Sequence, residues 1–406
     1  MTRVVIEGSA ATPANAPTGG GQPATGEGRL DLRDVAVVAA SLHWRYSGLT
    51  STVISLLPHQ RRDVRIAGLG PFLPSTVPQI RFCDLLLGGW TRPPGGLSHR
   101  IWHARRNDEM IAGVLLKHVL RQPWKLVFTS SAQRRHTALT RWLMRRMDCI
   151  IATSLGAASY LKLPATVIHH GVDTTVFRPA ELRGEEWRSA ALPGKFGVGA
   201  FGRIRQQKGT DLLIKAMIGL LPKYPDAVLV LTGLVTSENE AFAAELRQRV
   251  AAAGLEDRVL FLGERPHEEM PEWFRRILLY VAPMREEGFG LTPLEAMASG
   301  TAVVATRTGA ATLLVQHGAT GVLVEPNDLE SLIAALEPLL ADPARAEEMG
   351  KRGREKALRD HGVEVEAASI NEVYRRLWSM GAERPFTKRR RLSARSSFCY
   401  LFRWFG

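Results

Sequence analysis

Short, wholly apolar runs alternate along this chain with longer segments whose apolar residues recur every three or four positions. "VAVVAA" (35–40), "VRIAGLG" (64–70), "KLVFTS" (125–130), "CIIATS" (149–154) and "ATVIHHG" (165–171) are too short for helices. They are also too continuous for half-exposed strands, so they read as strands covered on both faces. "RFCDLLLGG" and "RIWHARR" are expected to contain two more strands. Helical spacing follows the loop "SLHWRYSGLTST" to about Leu57, and returns in "MIAGVLLKHVLRQ" and the Arg-rich "ALTRWLMRRM". A polar stretch of little periodicity, "DTTVFRPAELRGEEWRSAALPGK", then precedes a second series. Its strands are "FGVGAFGR", "AVLVLTG", "RVLFLG", "LLYVAP", "TAVVAT" and "TGVLVE", with helical segments such as "GTDLLIKAMIGLL" and "DLESLIAALEPLL" between them.

Strand–helix alternation of this kind predicts an α/β fold of two doubly wound, parallel-sheet, Rossmann-like domains facing a central cleft. The expected organisation is a disordered leader (1–28), a first domain (29–178), a second domain (179–362), a helix returning to the first domain (363–385) and a tail (386–406). No tandem short repeat is present.

Composition narrows the classes. At 406 residues two cores are the default, and a hydrophobic content of 45% excludes wholesale disorder. No apolar run has the roughly 20 residues that span a bilayer, and the Pro/Gly-rich start lacks the apolar core of a secretory signal. Three scattered cysteines without ligand spacing suggest a reduced, cytoplasmic protein. The net charge of +13 is concentrated in two places, with eleven Lys/Arg against three Asp/Glu over 100–148 and seven against one from Gly381 onward. Such a balance invites phosphorylated ligands, a membrane surface or nucleic acid. The aromatics Phe398, Tyr400, Phe402, Trp404 and Phe405 interleave with cations only in the tail, which favours an anionic membrane interface there.

Two motifs carry chemistry. In "AFGRIRQQKGTDLL", Gly202 turns the chain at a strand end, and Arg203 and Lys208 precede a helix, a placement suited to a diphosphate. A solvated basic loop capped by Gly209–Thr210–Asp211 would look the same. In "REEGFGLTPLEAMASGTAVVAT", Gly288 and Gly290 let the main chain approach a ligand, and Thr292–Pro293–Leu294–Glu295 has the form of a capping box. Amides of Gly290, Leu291 and Thr292 could then meet an anion. Glu286 and Glu287 have no such structural reason to be there, whereas carboxylates accept hydrogen bonds from sugar hydroxyls.

These two motifs in register resemble the donor half of the family-4 retaining glycosyltransferases of the GT-B fold, whose signature of two glutamates separated by seven residues is matched by Glu287 and Glu295. The resemblance implies that Glu287 holds a donor-sugar hydroxyl, with Phe289 and Gly290 near the sugar through their backbone. It further implies that Glu295 binds the nucleotide ribose, and that Gly202, Arg203 and Lys208 receive the diphosphate. "RYSGLTSTV", "IWHARRNDEM", "KLVFTSSAQRRHT" and "VIHHGVDTTVFRP" are similar, more narrowly, to bacterial mannosyltransferases of lipopolysaccharide core synthesis. Where many relatives carry a histidine after "KLVFTS", this chain has Ser130–Ser131, which leaves His103 as the next catalytic candidate. The other acceptor-side candidates are Gly48, Arg105, Ser131 and Arg134. "RTGAATLLV" keeps Gly309 but lacks an acid found in relatives.

The same resemblance implies α-linked transfer from a nucleotide sugar, GDP-mannose, to an anionic, Kdo-bearing lipid at the cytoplasmic face of the inner membrane. No Asp-x-Asp occurs, and no His/Cys/Asp cluster has metal-ligand spacing, so no metal or other cofactor is expected. The alternatives are another donor, such as UDP-glucose, with a different glycolipid or soluble acceptor, and, from charge alone, nucleic-acid binding.

Overall fold

The computed structural model describes residues 29–44 and 48–382. The proposed leader (1–28) and tail (386–406) lie outside the described residues. The first sheet contains β1 (Val37–Ala40), β2 (Ile66–Leu69), β3 (Arg100–Ala104), β4 (Trp124–Ser130), β5 (Cys149–Ala152) and β6 (Thr166–Val167), in the order β2-β1-β3-β4-β5-β6. The second contains β7 (Phe196–Phe201), β8 (Ala227–Thr232), β9 (Val259–Phe261), β10 (Ile277–Ala282), β11 (Ala302–Thr306) and β12 (Val322–Val324), in the order β12-β11-β10-β7-β8-β9. All pairings within both sheets are parallel. Strands such as β1, β8 and β10 are buried along their whole length, as their uninterrupted apolar sequences require.

Helices cover both faces of each sheet. In the first, α1 (Gly48–Gln60) lies on one face, while α2 (Phe82–Gly88), α3 (Asn107–Val114), α4 (Ala138–Met144) and α5 (Leu155–Leu161) lie on the other. In the second, α7 (Thr210–Leu220), α8 (Glu240–Ala252) and α12 (Leu329–Ala341) pack on one face. The other face carries α6 (Arg183–Ser189), α9 (Met270–Arg276), α10 (Leu291–Ala298) and α11 (Ala311–Leu314), and α13 (Pro343–Asp360) joins both cores. The chain then crosses back. The last helix, α14 (Val363–Ala382), packs beside α1 through Ile370, Val373 and Tyr374.

Two local readings change. "RFCDLLLGG" forms helix α2 rather than a strand, because Asp84 accepts from the Arg81 backbone N–H at 2.9 Å and starts a helix that buries only Leu85. The polar stretch after Asp173 contains α6, anchored by Trp187, the one buried side chain of that helix. A single anchor leaves no periodic signal.

Strand order reverses between β1 and β3 in the first sheet and between β7 and β10 in the second. Ligands of open α/β sheets bind beyond the carboxyl ends of strands at such reversals. The loops after β7 and β10 hold the "GRIRQQKG" and "REEGFG" motifs.

Candidate functional site

The loop after β7 is shaped by glycines where no Cβ fits. Gly209, at φ +69°, begins α7, and a Cβ there would sit 1.8 Å from the Pro283 carbonyl oxygen in the loop after β10. Asp211, in the first turn of α7, does not cap it. It takes a bidentate ion pair from Arg285, with both contacts at 2.7 Å. Burial opposes ionisation of Asp211, but the Arg285 guanidinium outweighs it and holds the carboxyl below its usual range. Arg285 also donates to Asn327 Oδ1 at 2.6 Å, and its backbone N–H donates to the Gln207 carbonyl at 2.9 Å. The loops after β7 and β10 are therefore tied together. Sequence reasoning missed this brace, although Arg285 opens the acidic motif itself.

Between the two loops Lys208 Nζ lies 2.5 Å from Glu287 Oε2, both side chains being half-buried. The other Glu287 oxygen accepts from the Gly288 backbone N–H at 2.9 Å. Glu286 is exposed, so only one of the paired acids enters the site. Phe289 is buried edge-on against His170, with ring centroids 4.9 Å apart. Arg203 is exposed, and its guanidinium makes no hydrogen bond among the described residues.

The capping box is overturned. Helix α10 begins at Leu291 behind Gly290, whose φ of +92° ends the loop two residues early, and no side chain caps it. Glu295 therefore lies in the second turn with no capping role, and its carboxylate accepts no hydrogen bond among the described residues. Burial pushes its carboxyl up to about 7.

A cavity of about 500 Å³ opens between the sheets here. Gly202, Arg203, Leu291, Thr292 and Glu295 line it from the second domain, and Gly48 from the first. Ser51 of α1 reaches across it to share a 3.0 Å hydrogen bond with His267. An adjoining cavity of about 780 Å³ shares Ser51, His267, Leu291 and Glu295.

The first-domain candidates separate. A Cβ on Gly288 would come within 2.8 Å of the Ser131 carbonyl oxygen, so Ser131 stands against the acidic loop. Arg105, following β3, is 6% exposed, and its Nη1 is buried without a hydrogen-bond partner among the described residues. Arg134 is exposed in the loop after β4 and lines neither cavity. His103 does not face the cleft: it is fully buried, with Nδ1 2.6 Å from the Tyr374 hydroxyl and Nε2 2.7 Å from the Thr129 hydroxyl. Burial, then the nearby Arg105, hold its pKa well below the ordinary histidine value. It ties β3 to α14 and has no free nitrogen for substrate. No cluster of three or more His, Cys, Asp or Glu side chains able to hold a metal occurs among the described residues.

Comparison with known proteins decides the family. Residues 185–356 match the model described as glycosyl transferases group 1. The lipopolysaccharide core biosynthesis mannosyltransferase LpcC of Rhizobium leguminosarum bv. viciae is 51% identical over 348 residues, 86% of this chain and 98% of that protein. The chain belongs to the group 1 glycosyltransferases. LpsB of Rhizobium meliloti, which carries the same descriptive name, is 47% identical over 86% of this chain and 99% of its own length. Among solved structures, Anabaena Alr3699/HepE in complex with UDP and glucose superposes with a TM-score of 0.71 at 20% identity, over 84% of this glycosyltransferase and 99% of that chain. Sucrose-phosphate synthase from Thermosynechococcus elongatus gives 0.70 at 22% identity, over 85% and 99%. The fold of this glycosyltransferase is GT-B.

Proposed function

We propose that this glycosyltransferase moves mannose from GDP-mannose to an anionic glycolipid of the lipopolysaccharide core, with retention of the α-configuration. The observation that carries the donor half is the Lys208–Glu287 pair beside the cavity lined by Arg203 and Glu295. That pair supports the reading because it offers a cation suited to a diphosphate next to a carboxylate suited to sugar hydroxyls. The names of the two Rhizobium relatives support mannose and the core acceptor. Arg105, a buried guanidinium with an unpartnered Nη1, is the acceptor-side group suited to a carboxylate or phosphate.

In the proposed reaction the bond between the anomeric carbon and the phosphate oxygen breaks as the acceptor hydroxyl oxygen bonds to the same face of that carbon. The hydroxyl proton passes to the departing phosphate. Arg203, Lys208 and the amides at the start of α10 carry the developing charge without a metal, while Glu287 orients the sugar. No described helix is long and apolar enough to cross a membrane; the proposed attachment is peripheral, at the cytoplasmic face of the inner membrane, and residues 386–406 are proposed to contribute to it.

Calorimetric titration with GDP-mannose, UDP-glucose and GDP, using the wild type and Glu287→Ala, tests the reading. The expected result is that GDP-mannose binds, that Glu287→Ala weakens it, and that GDP affinity is unchanged. Tight UDP-glucose binding would overturn the choice of donor, and no nucleotide binding would overturn the site.

Glu295 gives a second test. Hydrogen bonds from ribose hydroxyls favour its ionised form, which is scarce below pH 7 because burial raises the carboxyl to about 7. Affinity for the intact nucleotide sugar, whose phosphates do not titrate in this range, should rise about tenfold from pH 6 to pH 8 as the ionised fraction grows. Glu295→Gln should bind more weakly at pH 8 and show no such rise. A flat profile in the wild type would remove Glu295 from the ribose site.

A further inference from the structure

Large apolar side chains are unevenly exposed on this molecule. The helices on one face of the first sheet, α2 to α5, each send apolar residues inward, among them Leu85, Met110, Leu143 and Leu161. The same layer also leaves apolar residues outside. Leu87 of α2 is 84% exposed, and Val119, where α3 continues into a π-turn (Leu115–Val119), is 66% exposed. Leu139 and Trp142 of α4 and Trp90 after α2 are exposed as well. On the opposite face, α1 and α14 show one large exposed hydrophobic residue, Val365, among the described residues.

The charge on this layer is equally one-sided. Residues 81–162 hold fourteen Lys/Arg against four Asp/Glu, and of the fourteen only Arg100 and Arg105 are buried. Three of the four acids are spent internally. Asp84 pairs with Arg81, Asp148 with Lys117 and Lys125, and Glu109 is buried accepting from the Arg105 and Arg106 backbone N–H groups. Arg92, Arg121, Arg135 and Arg145 are exposed with no ion pair among the described residues, and Arg146 stacks on Trp142 with 3.4 Å from its guanidinium carbon to the ring centroid. Aromatic and aliphatic groups framed by unpaired cations suit an interface whose deeper part is apolar and whose surface is anionic.

The position of the layer fits. Arg134 and Arg135 lie on the loop that starts at Ser131, the residue standing against Gly288 of the acidic loop. Leu155, 75% exposed, opens α5 just beyond the carboxyl end of β5. The layer therefore reaches the rim of the cleft at the end where the strands deliver their loops.

We infer that the outer surface of α2–α5 docks the folded first domain onto an anionic lipid bilayer, independently of the tail and without a spanning segment. Docking there holds the rim of the cleft at the headgroup level. The inference does not depend on which sugar or acceptor the enzyme uses.

The test is co-flotation of the full chain with vesicles of phosphatidylethanolamine and phosphatidylglycerol, and with phosphatidylcholine vesicles as the uncharged control. Wild type should float with the anionic vesicles only. The variant Leu87→Ser/Val119→Ser/Trp142→Ser should lose about tenfold in vesicle affinity, since both the apolar and the charged parts contribute to interfacial binding. The matched control Val365→Ser should bind as wild type. Arg135→Glu/Arg145→Glu, which leaves every buried group in place, should weaken binding and flatten its dependence on salt even if the triple variant folds poorly. Two results would overturn the inference. One is unchanged flotation of these variants while Phe402→Ser/Trp404→Ser in the tail abolishes it. The other is a wild type that ignores vesicles but sediments as a dimer that the surface variants dissociate, which makes the layer a protein contact.

Discussion

Replacing Lys208 with methionine is expected to lower turnover of the nucleotide sugar by about a hundred- to a thousandfold, the usual effect of removing one group that stabilises a developing anion. Among the described residues Lys208 Nζ reaches only Glu287 Oε2 at 2.5 Å and Met284 Sδ at 3.7 Å, so its charge is held beside the acidic loop rather than used up in the core. In the proposed ground-state complex the diphosphate charge is spread over many oxygens and would be shared with Arg203 and the helix amides. In the transition state it grows on the oxygen that leaves the sugar, so the loss should fall more on kcat than on KM. Stability should change little, because an ion pair that keeps contact with solvent contributes about 0–1 kcal/mol. Released nucleoside diphosphate measured under saturating donor reads the effect, with a thermal melt to exclude unfolding. A variant within threefold of wild type would remove Lys208 from the phosphate site. Arg203→Ala, tested beside it, separates the two cations: full turnover there would leave Lys208 and the amides as the only phosphate ligands.

How far this was legible in the sequence depends on how local each signal is. Two parallel sheets followed from apolar runs such as "VAVVAA" and "AVLVLTG", because burial on both faces leaves no alternation to confuse with another structure. That the two glycine-bearing motifs meet was legible because their loops leave adjacent strands, β7 and β10, and carry glycines whose missing Cβ is required by close approach. Thr292–Pro293–Leu294–Glu295 misled because a capping box is defined by spacing alone, whereas the helix start is set by the backbone at Gly290. His103 misled for a similar reason: a strand end reads as a cleft position, but the helix that covers it, α14, arrives from the far end of the chain. Arg285–Asp211 joins residues 74 apart and His170–Glu366 residues 196 apart, and no local pattern announces either pair.

That last pair carries the largest expected effect on stability. Glu366 of α14 and His170, after β6, are 4% and 3% exposed; Glu366 Oε1 lies 2.8 Å from His170 Nδ1, and Oε2 accepts from the Gly171 backbone N–H at 2.7 Å. They sit where the chain crosses between the domains, beside the Val172–Gly362 bridge. Glu366→Ala removes the acceptor for buried His170 and for the part-buried Gly171 N–H, at ~1–3 kcal/mol each, so a loss of about 3 kcal/mol is expected, read as a melting temperature lowered by several degrees. Glu366→Gln keeps one acceptor oxygen for Gly171 and should recover about half of it. Because His170 props the ring of Phe289 in the acidic loop, the defect should extend to chemistry the residue never touches. Donor KM should rise in Glu366→Ala and return toward wild type in Glu366→Gln, assayed well below both melting temperatures. If stability falls while KM stays fixed in both variants, the pair is a brace for the crossing alone. If KM follows the hydrogen bonds, the last helix sets the position of the sugar loop, and the return of the chain to the first domain is part of how the donor site is held.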